Sequence, residues 1–215
     1  MINPNEENAA KRLGTTKGAR FQLKDLSVKA QNVQADELYP PAEDTLLLLK
    51  ASLKEAKPDD TAIEIGCGSA LISKELSRRV YSLVATDVNP YAVKRARAVG
   101  IEALKADLFR GIKSRFDLIV FNPPYVPTSA EERTTGWINF ALDGGKTGRD
   151  TINRFLEDLK NHLNPEGRAL LLVSSLNGLE DIMAKAKAEG LQAREAVNER
   201  CFFEQLYVIR LEIAH

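Results

Sequence analysis

Cysteine and histidine are scarce, with two of each in 215 residues. Cys67, Cys201 and two histidines do not make a convincing zinc site, so no metal centre is expected. So few cysteines also fit a reducing, intracellular setting better than a disulfide framework. Net charge is missing too: Lys+Arg and Asp+Glu both number 30. That removes a bulk electrostatic drive toward nucleic acid, although a local patch is not excluded. No apolar run reaches the roughly 18 residues that a membrane span needs. The opening "MINPNEENAAKRLG" has no apolar stretch, so no signal peptide is expected and the cytoplasm is the expected location. Internal repeats are absent.

What is present is ordinary globular material. With 44% hydrophobic and 28% charged residues, the chain can bury a core without a disulfide or metal. Residues 1–24 are polar, aperiodic and mildly basic through Lys11, Arg12, Lys17, Arg20 and Lys24. They read as a flexible tail or as an arm toward a substrate, ahead of one domain over 25–215.

From Glu43 onward, apolar strands alternate with helical patterns. "AEDTLLLLKASLKEA" reads as a helix ended by Pro58, and "TAIEI" as a strand. "SALISKELSRR" predicts a helix over Ser69–Arg79 with Ser69 as its N-cap. The strand "SLVATD" and the helix "PYAVKRARAVG" follow, then the strands "IEALKAD" and "FDLIVFN". The helix "DTINRFLEDLKNHL", the strand "GRALLLVSS" and the helix "GLEDIMAKAKAEG" come next, and "QAREAV" and "LYVIRLEI" close the chain as an antiparallel pair. This order predicts an α/β fold: a seven-stranded, mostly parallel Rossmann-like sheet with helices on both faces and the last strand antiparallel. Ligands of such sheets bind at the carboxyl ends of the strands.

The motifs fall at those ends. In "EIGCGSA", Gly66 and Gly68 permit a sharp turn and close approach of a ligand, although glycine pairs also occur for packing. Asp87 ends the second strand as a ribose acceptor or as a helix N-cap. Asp107 ends the third, facing an adenine amino group or simply solvated, with Leu108 as an apolar edge. Three successive strand ends suit an adenosine ligand. "GGKTG" lacks the first glycine of a P-loop, since position 140 is Phe140, and it follows the wrong strand. It reads as a loop before a helix starting near Arg149. Trp137 reads as lying in a loop, either as a lid or as a core aromatic.

"EIGCGSA", "TDVNP", "ADLF" and "FNPPY" together resemble the class I S-adenosylmethionine-dependent methyltransferases, with Asn-Pro-Pro-Tyr as the amino-methyltransferase motif. "YPPAEDT" before them and "ALDGGKTGRD" after them are similar to the HemK-type protein-glutamine N5-methyltransferases in their short archaeal and eukaryotic form. The resemblance implies S-adenosylmethionine contacts at Thr45, Glu64, Gly66, Gly68, Asp87, Asp107, Leu108 and Asn122. It implies catalysis by Asn122, by the Pro123 carbonyl and by Tyr125. It implies a glutamine in the Gly-Gly-Gln loop of a class I peptide chain release factor as the acceptor, with adenine N6 of nucleic acid or a protein lysine as alternatives. It also implies a small zinc-binding activator subunit on the edge strand over 101–105. One departure is Ala70, where the family usually has a third glycine. A slightly tighter loop is expected there.

Overall fold

The computed structural model describes residues 38–214 apart from 130, 132–135 and 202. The polar tail and the domain boundary expected near residue 25 lie outside the described residues. The elements are α1 (Glu43–Glu55), β1 (Thr61–Ile65), α2 (Leu71–Leu76), β2 (Ser82–Asp87), α3 (Pro90–Ala98), β3 (Glu102–Lys105), β4 (Phe116–Phe121), α4 (Trp137–Leu142), α5 (Asp150–His162), β5 (Leu163–Ser174), a 3-10 turn (Ser175–Asn177), α6 (Leu179–Ala188), β6 (Leu191–Arg200) and β7 (Gln205–Ile213). No described helix is long and apolar enough to cross a membrane.

The strands form one sheet in the order β3-β2-β1-β4-β5-β7-β6. All pairings among β1 to β5 are parallel, and β7 runs antiparallel between β5 and β6. The order reverses between β1 and β4, and that crevice is where such a sheet takes a ligand.

The pleat sends alternate residues to opposite faces. Ile63, Ile65, Ile119, Phe121 and Leu171 pack with Ile152, Phe155, Leu156 and Leu159 of α5. Ala62, Leu118, Val120 and Leu170 pack with Leu47 and Leu48 of α1 and with Ile72 and Leu76 of α2. Because both faces are covered, the central strands read as continuous apolar runs. At the amino ends of the strands, the fully buried Arg168 is neutralised by Asp60, with Nη1 to Oδ1 at 2.8 Å and Nη2 to Oδ2 at 2.6 Å.

The edge expected at β3 is there. Ala106 N–H donates to the Asp87 carbonyl. Even-numbered residues of β3 therefore turn their backbone groups to β2, and Ala103 turns its own outward. Arg97 of α3 covers the Ala103 carbonyl with Nε at 3.0 Å and Nη2 at 2.7 Å. Ala103 is buried and Leu104 is 42% exposed.

Candidate active site

The turn between β1 and α2 is built from left-handed residues. Gly66, Gly68 and Ala70 have φ of 67°, 47° and 62°. Cys67 N–H donates to the Thr86 carbonyl and Ala70 N–H to the Cys67 carbonyl, which lashes the turn to β2. A side chain on Gly68 would meet nothing within 4 Å, so its backbone faces open space at the cavity. The turn consumes Ser69 and Ala70, so the helix predicted over Ser69–Arg79 shrinks to Leu71–Leu76 and Ser69 is not its N-cap. Ala70 corrects a second expectation. The alanine methyl does not merely tighten the loop; it places an L-residue in a backbone region that costs about 1–2 kcal/mol.

Asp87 is buried at the end of β2. Its Oδ2 accepts from Gly68 N–H at 2.9 Å and its Oδ1 from Asn89 N–H at 2.8 Å. Asn89, not Asp87, caps α3, by accepting from Tyr91 N–H. Asp87 therefore holds the glycine turn at the cavity wall, and burial raises its pKa.

Glu64 is buried in β1 on the face toward α2, where its Oε2 accepts from Ser73 N–H at 2.8 Å and from the Ser73 hydroxyl. Burial pushes its pKa up to about 8, although the two Ser73 bonds act the other way. Folding therefore favours the protonated form. The associated stability is present in full below pH of about 4.5 and is gone once pH has risen through about 8. Glu64→Gln is expected to flatten the fall in Tm between pH 5 and pH 8, read by thermal melts of both proteins. An unchanged slope would mean that another group carries it.

Asp107 and Leu108 form the turn after β3. Leu108 is buried with φ of 50°, a second strained L-residue at this rim. Asp107 is not simply solvated, because its Oδ2 lies 2.6 Å from Nη2 of Arg154 on α5.

At the end of β4, Asn122 Nδ2 donates to Asp44 Oδ2 at 2.9 Å. Asn122 Oδ1 is buried and has no hydrogen-bond partner among the described residues. Asp44 is itself buried, and its Oδ1 accepts from Thr45 N–H at 2.6 Å and from Thr45 Oγ1 at 3.2 Å. Thr45 thus lines the cavity with its hydroxyl already committed. Tyr39 also bonds Asp44; burial first, then the Asp44 charge, push its pKa up to about 12. The bond to Asp44 fixes which way the Asn122 amide points, with its nitrogen on the carboxylate. A buried acceptor left without a partner costs folding energy.

The segment after Asn-Pro-Pro-Tyr returns to brace it. Val126 N–H donates to the Leu142 carbonyl, and Asn177 Nδ2 donates to the Tyr125 carbonyl at 2.6 Å. A Cβ on Gly148 would stand 2.3 Å from that same carbonyl, so "GGKTG" serves close packing beside Tyr125. It is a loop before α5, as expected. Trp137 is not in a loop. It opens α4, and with Phe140 it lines the cavity.

The expected residues Thr45, Glu64, Gly66, Gly68, Asp87, Asp107, Leu108, Asn122, Pro123 and Tyr125 all line this one cavity. Asp44, Arg154 and Asn177 escaped the sequence reading. Asp44 is 78 positions from the amide that it orients, and no local spacing signals such a partner.

The methyltransferase small domain model matches residues 43–198. The chain is 41% identical over 180 residues to a Methanocaldococcus jannaschii protein provisionally named a protein N5-glutamine methyltransferase, covering 80% of this chain and 90% of that one. It is 33% identical to the human methyltransferase HEMK2 over 190 residues, covering 81% and 89%. Among solved structures, the Mtq2-Trm112 complex of E. cuniculi, described as responsible for methylation of the eRF1 translation termination factor, has a TM-score of 0.69 and 29% identity, covering 82% of this chain and 99% of that one.

Proposed function

The chain belongs to the methyltransferase small domain family, and from that premise we propose that it methylates the side-chain amide nitrogen of a glutamine in a peptide chain release factor, using S-adenosylmethionine. The observation that carries this reading is Asn122 Oδ1, a buried acceptor without a partner among the described residues, on an amide held by Asp44. The donor set suits the cofactor. Gly68 would leave space for it, Asp87 would take the ribose, and Asp107 and Leu108 would take the adenine; all four line the cavity. When bound, S-adenosylmethionine supplies a methyl group on a positively charged sulfur.

The remaining chemistry falls to the chain's own residues. A glutamine amide is a poor nucleophile because its lone pair is delocalised. Asn122 Oδ1 takes one of its N–H groups and the Pro123 carbonyl takes the other, which orients the nitrogen and favours pyramidal character. The prolines fix φ and hold that carbonyl at the strand end. Tyr125 stacks on the planar amide. These contributions are positioning and electrostatic stabilisation.

Adenine N6 offers the same planar NH₂, but the balanced charge of the chain gives no bulk electrostatic drive toward nucleic acid. The test is transfer of labelled methyl in parallel reactions offering a release factor, its variant with the Gly-Gly-Gln glutamine changed to alanine, DNA and RNA. Label on the intact release factor alone is the expected result. Label that persists on the variant, or that prefers DNA or RNA, overturns the glutamine assignment.

The proposal extends to a partner and a place of work. The E. cuniculi neighbour is a two-protein complex. An edge strand here with outward Ala103 groups suits strand addition by a small zinc-binding activator, with Arg97 moving off the Ala103 carbonyl. Release factors act in the cytoplasm, so the enzyme works there. Ala103→Pro removes an outward N–H without touching the β2–β3 ladder. It is expected to weaken the co-purified complex at least tenfold in Kd and to leave S-adenosylhomocysteine binding by the isolated chain unchanged. Equal Kd values for variant and wild type would place the partner elsewhere.

A further inference from the structure

Arg154 plays no part in the chemistry above. Arg154 Nη2 and Asp107 Oδ2 are 2.6 Å apart, both residues line the cavity, and they come from elements 47 positions apart in sequence. Their supports differ. Asp107 sits in a short turn held by the Arg110 N–H to Asp107 carbonyl bond. Arg154 rises from α5, whose other face is anchored by the fully buried Ile152, Phe155, Leu156 and Leu159. Thr151, one turn earlier on the same face, also lines the cavity. A helix locked on four core side chains is a firmer post than a turn.

We infer that Arg154 is a positioning residue for adenine recognition: by gripping Asp107 Oδ2 from a rigid helix, it presents Oδ1 to the 6-amino group of the cofactor's purine. This rests on the reading of Asp107 as the adenine acceptor. In the free protein the pair is half exposed, at 54% and 42%, and such a pair contributes little to stability. A purine lying on the rim covers it and lowers the local dielectric, so the grip strengthens when recognition needs it. Without Arg154 the carboxylate rotates in its turn, and the hydrogen bond to the amino group must order it first.

The experiment compares the calorimetric Kd of S-adenosylhomocysteine with that of its analogue carrying purine, which lacks the 6-amino group, in place of adenine. Wild type is expected to prefer the adenine form by about tenfold or more, the value of one hydrogen bond to a charged group. In Arg154→Ala the preference is expected to fall to about threefold or less, with Tm unchanged, and Arg154→Lys is expected to restore part of it. A wild type that shows no preference overturns the adenine reading of Asp107 and this inference with it. A wild type that discriminates beside an Arg154→Ala that discriminates equally overturns the role of Arg154 alone.

Discussion

Asn122→Ala is expected to lower kcat by about a hundred- to a thousandfold while the Kd of S-adenosylhomocysteine changes by less than about threefold. The split follows from the geometry. Asn122 Oδ1 has no partner among the described residues, and its nitrogen is spent on Asp44. In the proposed reaction the oxygen is there for the incoming acceptor, and its contribution is greatest when the acceptor nitrogen pyramidalises. The turn at Gly66–Gly68, the Asp87 carboxylate and the Asp107 rim are untouched, so the cofactor site stays intact. Stability is expected to move little. The substitution forfeits the bond to Asp44, but it also removes a buried acceptor that folding leaves unsatisfied. A variant that melts within about 3 °C of wild type yet turns over poorly would fit a site that gives up stability for function. Turnover within tenfold of wild type would mean that something other than Asn122 orients the nitrogen. Asp87→Ala is expected to behave oppositely and to weaken cofactor binding first.

The second large effect lies at the other end of the sheet. Asp60→Ala is expected to destabilise the fold by about 3–5 kcal/mol, because it strands a charge that is 99% buried. Arg168 retains the carbonyls of Glu55 and Asp117, but dipoles do not replace a carboxylate, and Glu55 Oε2 is 3.8 Å away on the Nε side. Asp60 also accepts from Lys57 N–H at 2.7 Å and thereby closes the turn before β1. Urea unfolding measures the loss. For a chain of this size it amounts to a Tm roughly 10 °C lower. The double variant Asp60→Ala with Arg168→Met is expected to recover much of the loss, since no uncompensated charge remains. A single-variant loss below about 1 kcal/mol would show that the interior tolerates the bare guanidinium.

The sequence by itself determined the architecture and named ten of the residues that line the cavity. Long apolar runs such as "FDLIVF" and "ALLLVS" carry the burial of a sheet covered on both faces, and their alternation with helical periods dictates parallel order. Glycines, aspartates and the Asn-Pro-Pro-Tyr segment mark the strand ends because their backbone and side-chain chemistry suits little else there. Helix boundaries were less legible. The turn at Gly66–Ala70 runs through an alanine in the left-handed region, a conformation that no propensity assigns to alanine and that lashing to β2 imposes. Trp137 lies in a helix whose described residues are all at least partly exposed, so no burial period announces it. What only the tertiary structure decided is the set of long-range polar partners. Asp44 orients Asn122 across 78 positions, Arg154 grips Asp107 across 47, Asn177 braces Tyr125 across 52 and Asp60 neutralises Arg168 across 108. Hydrophobic burial is roughly additive along a chain and leaves a periodic trace. A hydrogen bond needs two particular atoms within about 3 Å, and only the folded chain brings them together.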